Sequence, residues 1–533
     1  MALPKDEFQD IQGIIRSGYG RLGEACFLLL EITEAAEAKA WLRAAAGDAA
    51  PETGSLSYRV THAGELGTGQ HQEQALQLAF TAQGLRKLGL PAYLFQAYPN
   101  NDSFSREFYL GMTGEEAREE GRLRRLGDVE ANDPSYWEWG APGFIPDVLV
   151  MLYADSASSL AAFQRIVVAD TALGFEVMQI LGSPGSAEHD GKLRREPFGF
   201  IDGISQPAVD WAESRTPGTG ADLEYGNLIA PGEFILGYKN EYGFYTERPL
   251  LDPHDDPLNL LPEAEDKPGK RDLGRNGTYL VFRQLDQDVG GFWRFAARRS
   301  RVDNGVSLAE AMVGRRLANG DPLVPPSSIS IRGVGPEASD LRQNGFTFDS
   351  DPDGFACPFG AHIRRANPRT GDLPGGRQGL VSKLLRTLGL KRGRPREDTV
   401  SSSRFHRIIR RGRPYGMAAD RESILKEEDH GVKSGIYFIA LNANIARQFE
   451  FIQNAWIMNT IFNGLQGESD PLVGNRVPWP FGRPSDGFTW PQPSGRACKI
   501  SGLPQFVTVR GGAYFFLPGI RALRFIAGQE AKG

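Results

Sequence analysis

The run FGFIDGISQP, residues 198–207, places one acid, Asp202, between Gly199 and Gly203 in otherwise apolar company. The two glycines permit close backbone approach or unusual dihedrals. Phe198, Phe200, Ile201 and Ile204 predict a drier setting than a surface carboxylate has. Burial raises a carboxyl pKa and a neighbouring arginine lowers it, so an acid under both influences can shuttle a proton. An Asx-type turn, with Asp202 accepting backbone N–H bonds, explains the same residues without chemistry.

Two further segments carry reactive types. The chain has seven histidines, and five of them (His62, His71, His189, His254, His430) stand among polar, glycine or acidic neighbours. His362 and His406 differ. His362 lies in FACPFGAHIRRANPRTGD, just ahead of Arg364, Arg365 and Arg369. An imidazole that ligates iron, with guanidinium groups that pair with propionates, is what an iron porphyrin needs; a core histidine in a turn beside surface arginines satisfies the pattern too. Zinc is disfavoured, because Cys357 and His362 have no second Cys/His pair to complete four ligands. In FHRIIRRGRPYG, Arg410 and Arg411 precede Gly412 and Pro414. An inward guanidinium there needs an anion, either Asp202 or a reacting oxygen species; a basic surface turn is the plainer alternative.

Elements that position these segments are readable as short apolar runs: CFLLLEI (26–32), DVLVMLYA (147–154), GTYLVFRQL (277–285), GIYFIALNA (435–443) and QFVTVRGGAYFFL (505–517). They alternate with helical patterns, in two halves of similar plan. FTAQGLRKLGLP predicts a short helix with Thr81 as N-cap, Leu85 and Leu88 inward, and Gly89 and Pro91 as stops. In NANIARQFEFIQNAWI, residues Ile445, Phe449, Ile452 and Trp456 share one helical stripe against a sheet. Proline, glycine and charge concentrate in 212–275, the expected boundary. A basic stretch at 370–403, amphipathic from Leu380 to Leu390, reads as a surface excursion with a helix packed on its own domain, a membrane-surface or partner helix being the lesser alternative.

At 533 residues the chain exceeds one ordinary core. Lys+Arg total 60 against Asp+Glu 66, a net charge of −6 that argues against nucleic acid as a partner. The first residues lack the basic and apolar regions of a secretory signal. No window approaches the ~18 apolar residues of a membrane span, and Cys26, Cys357 and Cys498 are too scattered for a disulfide framework. A cytoplasmic protein without membrane attachment is the expectation.

Taken together, GFIDG, CPFGAHIRRANPR and RIIRRGRPYG resemble the signature segments of the dye-decolorizing peroxidase (DyP-type) family of heme enzymes. GFIDG fits the family's GxxDG motif, and similar wording runs from about residue 8 to about 527, including DIQGIIRSGYG, NGTYLVFRQLDQD and FVTVRGGAYFFLPGIRAL. The resemblance extends to the longer bacterial and fungal branch. It implies an α+β fold of two ferredoxin-like domains with antiparallel sheets and helices. These are an N-terminal domain over 1–225 carrying GxxDG, and a C-terminal domain over 226–533 holding most of the heme and the basic excursion.

By position, the resemblance makes His362 the proximal ligand of one heme b per chain, Asp202 the distal acid and Arg410 the distal arginine, with Arg411 its competitor. Arg369 pairs with the heme propionates, and Phe438 and Leu441 flank the heme face. Asn444 occupies the place where many members carry an acid hydrogen-bonded to the proximal histidine; a helix cap near Ile445 is the other reading, although no Glu or Gln follows at the usual capping-box position. The implied activity is reduction of hydrogen peroxide and one-electron oxidation of dyes, phenolics and related bulky donors through a ferryl intermediate. Trp293 and Tyr415 are oxidisable relay candidates whose plainer role is packing. A heme-binding or iron-handling protein with little turnover is the alternative function, and homo-oligomerisation is left open.

Overall fold

A computed structural model describes residues 5–48, 56–66, 72–97, 102–183, 195–217, 226–327, 331, 333–334, 338–370, 402–416, 421–426, 433–477, 484–492 and 496–528. The basic segment 370–403 lies outside these, apart from Thr370, Ser402 and Ser403, and so does its amphipathic stretch.

The first half runs β1 (Glu24–Ile32), α1 (Ala35–Ala45), β2 (Gln74–Phe80), β3 (Val148–Ala154), α2 (Ala157–Thr171) and β4 (Phe175–Ser183). The second half runs β5 (Thr278–Gln287), α3 (Val289–Arg299), α4 (His362–Ala366), β6 (Ile409–Arg410), β7 (Arg413–Tyr415), β8 (Gly435–Asn442), β9 (Val507–Leu517) and α5 (Ile520–Gly528). Hydrogen-bonded order is β2-β3-β1-β4 in the first half and β6-β8-β5-β9 in the second. Both are antiparallel and both place the first strand of the half beside the last. The fold is therefore α+β, with the ferredoxin-like plan used twice.

A single pairing, Phe516 with Phe80, joins β9 to β2 and makes one nine-stranded sheet. That sheet closes back on itself. Phe27 of β1 and Phe282 of β5 are four strands apart in the pairing order, about 19 Å along a flat sheet, yet their rings are 5.2 Å apart. Tyr437 of β8 meets the same Phe27 at 5.4 Å. Tyr153, Ile439, Leu441 and Phe515 complete this inner layer. On the outer faces, Leu42, Phe163 and Leu523 of the helices cover Leu28, Leu78 and Val150. Burial on both faces explains why the strands read as continuous apolar runs rather than alternating ones; each large side chain so buried contributes about 1.5–3 kcal/mol.

Thr81 caps the helix Ala82–Lys87 by accepting from the Gly84 N–H at 3.2 Å. The stripe Ile445, Phe449, Ile452 and Trp456 is buried as its spacing predicts, but the backbone is wound as π-helix over Ala446–Glu450 and Ile452–Ile457. Such turns are rare and concentrate at functional sites. Among the described residues no helix is long and apolar enough to cross a membrane.

Candidate active site

The GFIDG turn is built on its glycines, with φ of +96° at Gly199 and +78° at Gly203; a side chain at either position would be strained. The Arg195 guanidinium ties the turn down through the carbonyls of Gly199 and Leu317, each at 2.7 Å. Trp293 of α3 donates its indole N–H to Phe198 O at 3.1 Å. Asp202 accepts a backbone bond from Gly203 and an ion-paired bond from Arg410 Nη1 at 2.9 Å on Oδ1. The turn-forming and inward-facing readings of Asp202 thus hold together. Burial pushes its pKa up, but the charge of Arg410, with the bonds from Gly203 and Arg410, outweighs burial and leaves it below the ordinary carboxylate range.

Arg410 and Arg411 part because successive strand residues face opposite ways. Arg410 pairs with Ala440 of β8, and the Gln206 amide clips the Asp202 loop to it, accepting from Arg410 N at 2.9 Å and donating to Arg410 O at 3.0 Å. Arg411 turns to the short helix Gly13–Arg16, donating to Ile14 O at 2.7 Å and Ile15 O at 2.9 Å. Burial there pushes its pKa down to about 10.

His362 opens α4 and its Nδ1 meets Asp470 Oδ2 at 2.9 Å, across 108 residues of sequence. Asp470 is fully buried, and its Oδ1 accepts from Leu472 N at 2.9 Å and Val473 N at 3.0 Å. Burial raises this carboxyl, while the charge and hydrogen bond of His362, with Arg365 nearby, bring it below its usual value. Conversely, burial lowers His362 and Asp470 more than reverses that, leaving the imidazole pKa raised. Nδ1 is committed, so Nε2 is the nitrogen left for the cavity that His362 lines.

The anionic partner of His362 is therefore Asp470, and Asn444 is a helix cap. Its Oδ1 accepts from Arg447 N at 2.8 Å, while its own N–H donates to Gln448 Oε1 at 2.8 Å. This is a reciprocal box whose return bond comes from Gln448, one residue later than usual.

Asp202, His362, Arg369, Arg410 and Phe438 all line one cavity of about 300 Å³. Leu441 does not. It is three residues beyond Phe438 on β8, an odd separation that points it into the inner layer between the sheet halves. Tyr415 is buried against Tyr437 with its hydroxyl on Asp286, and Trp293 is buried behind the GFIDG turn; neither lines the cavity.

One end of the cavity is rich in cations. Arg369, itself at φ +56°, stacks on Phe346 at 3.7 Å and donates to Phe346 O at 2.8 Å. Arg315 donates from Nη1 to Gly320 O at 2.7 Å, but its Nη2 is buried without a hydrogen-bond partner. Burial, then the charges of Arg369 and Arg410, push Arg315 down to about 9. An orphaned buried guanidinium nitrogen calls for an acidic group. Together with the free Nε2 of His362 and apolar walls from Phe198, Phe438, Phe449 and Ile452, it fits a porphyrin with carboxylate substituents. Zinc is not supported, since among the described residues Cys357 and His362 belong to no group of three or more His, Cys, Asp or Glu ligand atoms close enough to share an ion.

Asp470, Arg315 and Glu196 escape a reading of the sequence. Asp470 lies in GESDPLVGN, where Asp-Pro marks an ordinary turn, and Arg315 has no motif around it. Glu196 precedes the GFIDG turn and could have been noticed as a second acid entering an apolar run. It accepts from Phe198 N, Phe200 N and Gln287 Nε2 at 2.8–3.0 Å, and burial, against these bonds, pushes it up to about 7.

No family model matches the chain. It is 28% identical over 541 residues to the dye-decolorizing peroxidase msp1 of Mycetinis scorodonius, covering 97% of this chain and 87% of that one. A dye-decolorizing peroxidase of Exidia glandulosa is 26% identical over 530 residues, covering 96% and 86%. The multifunctional dye peroxidase DyP2 of an Amycolatopsis species is 29% identical over 411 residues, covering 74% of each chain. Among solved structures, the fungal DyP-type peroxidase of Auricularia auricula-judae has the same fold, with a TM-score of 0.67 at 22% identity over 98% of this chain and 99% of that one. The Anabaena DyP-type peroxidase gives 0.66 at 20% identity over 98% and 95%. The chain is thus similar in sequence over nearly its whole length to fungal dye-decolorizing peroxidases, and over about three quarters of it to a bacterial one, and it shares their doubled ferredoxin-like fold.

Proposed function

We propose that this chain is a peroxidase that holds one heme b, reduces hydrogen peroxide and oxidises phenolic and dye-like donors by one-electron steps. The observation that carries the reading is the convergence on one cavity of the Asp202–Arg410 pair and of His362, which Asp470 backs from behind the wall. His362 Nε2 would hold the iron, and Arg315 and Arg369 would hold the acidic substituents. When bound, the iron porphyrin supplies the two-electron reduction of peroxide to water and the one-electron oxidation of donors.

The chain's own residues supply proton handling and charge. Asp202 Oδ2 is not used by Arg410, and the depressed pKa keeps it ionised and ready as a base. It takes the proton from the near oxygen of hydrogen peroxide and returns it to the far oxygen, which leaves as water. Arg410 Nη2, held only by a 3.4 Å bond to Ser205 O, is the donor for negative charge on that leaving oxygen. Asp470 fixes the ring and tautomer of His362 and increases its electron donation. Cys26, Cys357 and Cys498 are free thiols, which supports work in a reducing compartment such as the cytoplasm.

A heme-loaded sample tests the reading. The expected result is a Soret band, a changed spectrum on adding stoichiometric peroxide, and many turnovers of a phenolic donor such as 2,6-dimethoxyphenol, the compound bound in one dye-decolorizing peroxidase structure. Bleaching by peroxide without turnover would overturn it in favour of heme binding alone.

A further inference from the structure

Behind Asp202 stands a second carboxyl, Glu196, which the proton transfer above leaves unused. It lines the same cavity. Its Oε1 accepts from Phe200 N at 2.9 Å, and its Oε2 from Phe198 N at 3.0 Å and Gln287 Nε2 at 2.8 Å. Two of these donors are backbone groups of the turn that presents Asp202; the third comes from β5. Gln287 is 9% exposed, and its Oε1 is buried without a partner.

That orphaned oxygen gives the arrangement a second state. A glutamine amide exchanges donor for acceptor by turning over. With Nε2 toward Glu196 it serves a carboxylate; with Oε1 toward Glu196 it accepts the O–H of a carboxylic acid. Either orientation leaves one amide atom without a protein partner, so neither state has the clear advantage. The bonds from Phe198 N and Phe200 N survive in both, because an acid's oxygens still accept.

We infer that Glu196 is a positioning residue for Asp202, a carboxyl that changes protonation state without releasing the turn, the Gln287 amide turning over to match, and so resets the charge that Asp202 feels. The inference rests on reading Asp202 as the proton-handling group. Burial already places Glu196 in the neutral range, at about 7. The charges bearing on it are Asp202, which opposes its ionisation, and Arg410, engaged by Asp202. Arg195 is turned to the carbonyls of Gly199, Leu317 and Ala318; from β5 and α3 the neutral Gln287 and Trp293 face the turn. When Glu196 ionises, its negative charge makes Asp202 a stronger base.

Cyanide tests this without peroxide or turnover, because it arrives as hydrogen cyanide and must give its proton to a base in the cavity. Its affinity for the ferric heme-loaded protein should tighten by roughly threefold or more as the pH rises between about 5 and 9. A carboxyl signal that shifts on isotopic labelling of glutamate should titrate in step in infrared difference spectra. Glu196→Gln should remove both and keep the Soret band. Gln287→Leu takes a charge-assisted bond from the carboxylate and only the weaker neutral bond from the acid, so the difference between the two should move the inflection upward by roughly half a pH unit or more.

A labelled carboxyl that stays ionised over that range, an inflection that survives Glu196→Gln, or one unmoved by Gln287→Leu would each overturn the inference. If Glu196→Gln does not fold, labelled wild type and Gln287→Leu decide. A protein that titrates as described but turns over no donor refutes the peroxidase reading alone.

Discussion

Replacing Asp470 with asparagine tests the half of the site proposed to hold the heme. The substitution is nearly isosteric, and Oδ1 can still accept from Leu472 N and Val473 N. The change falls on the 2.9 Å bond to His362 Nδ1, where an amide N–H would oppose an imidazole N–H. Relief requires the proton to move to Nε2, the nitrogen needed for iron. A hydrogen bond to a charged group is worth about 1.5–3 kcal/mol, and altering the partner of a metal-ligating histidine lowers metal affinity by about 10- to 100-fold. Arg365 also loses the buried negative charge that acts on it most strongly, so folding stability should fall by about 3 kcal/mol, the lower range for breaking a buried pair. Hemin titration at the Soret band should give a dissociation constant 10- to 100-fold weaker, on the order of the same factor, with a raised reduction potential because the ring donates less. Unchanged affinity together with an unchanged potential would refute the role given to Asp470.

Four other outcomes follow from the same geometry. Arg410→Leu should keep the Soret band and slow the reaction with peroxide by about 10²-fold or more in stopped-flow. Arg411→Leu should instead lower stability by about 1–3 kcal/mol, through the lost carbonyl bonds at Ile14 and Ile15, with peroxide kinetics of the folded enzyme unchanged. Asn444→Ala should cost about 1 kcal/mol in a denaturant melt and leave the heme spectrum alone, as a cap should. Asp202 and Asp470 both titrate below the ordinary carboxylate range; the stability they contribute is present above their unfolded pKa of about 4 and is lost as pH falls through the depressed folded values, so an acid melt of Asp202→Asn should be less pH-dependent in that window.

What the sequence discloses and what it hides divide along physical lines. Local rules carry far: Thr81 caps its helix, the glycines beside Asp202 take positive φ, and the Ile445 to Trp456 stripe is buried. The separation of Arg410 from Arg411 follows from strand parity once β6 is known to be a strand, and the same parity excludes Leu441 from the face of Phe438. Both needed a backbone direction that two-residue β6 does not announce. Asp470 was hidden for another reason: a partner 108 residues away has no spacing rule, and buried acids look like turn acids until a fold surrounds them. Arg315 was hidden because its distinguishing feature, an unpartnered nitrogen, belongs to three dimensions only.

The strand β9 lies between β5 and β2, and it is the latest of the strands in sequence. On the ribosome, then, β1 to β4 and β5 to β8 must wait side by side with open edges until residues 507–517 emerge to bridge them. Pairings so distant in sequence are slow to form, and unpaired edges are exposed to association with other chains meanwhile. A chain built this way should depend on holding by chaperones late in synthesis, and its yield in a host should respond to translation rate and temperature.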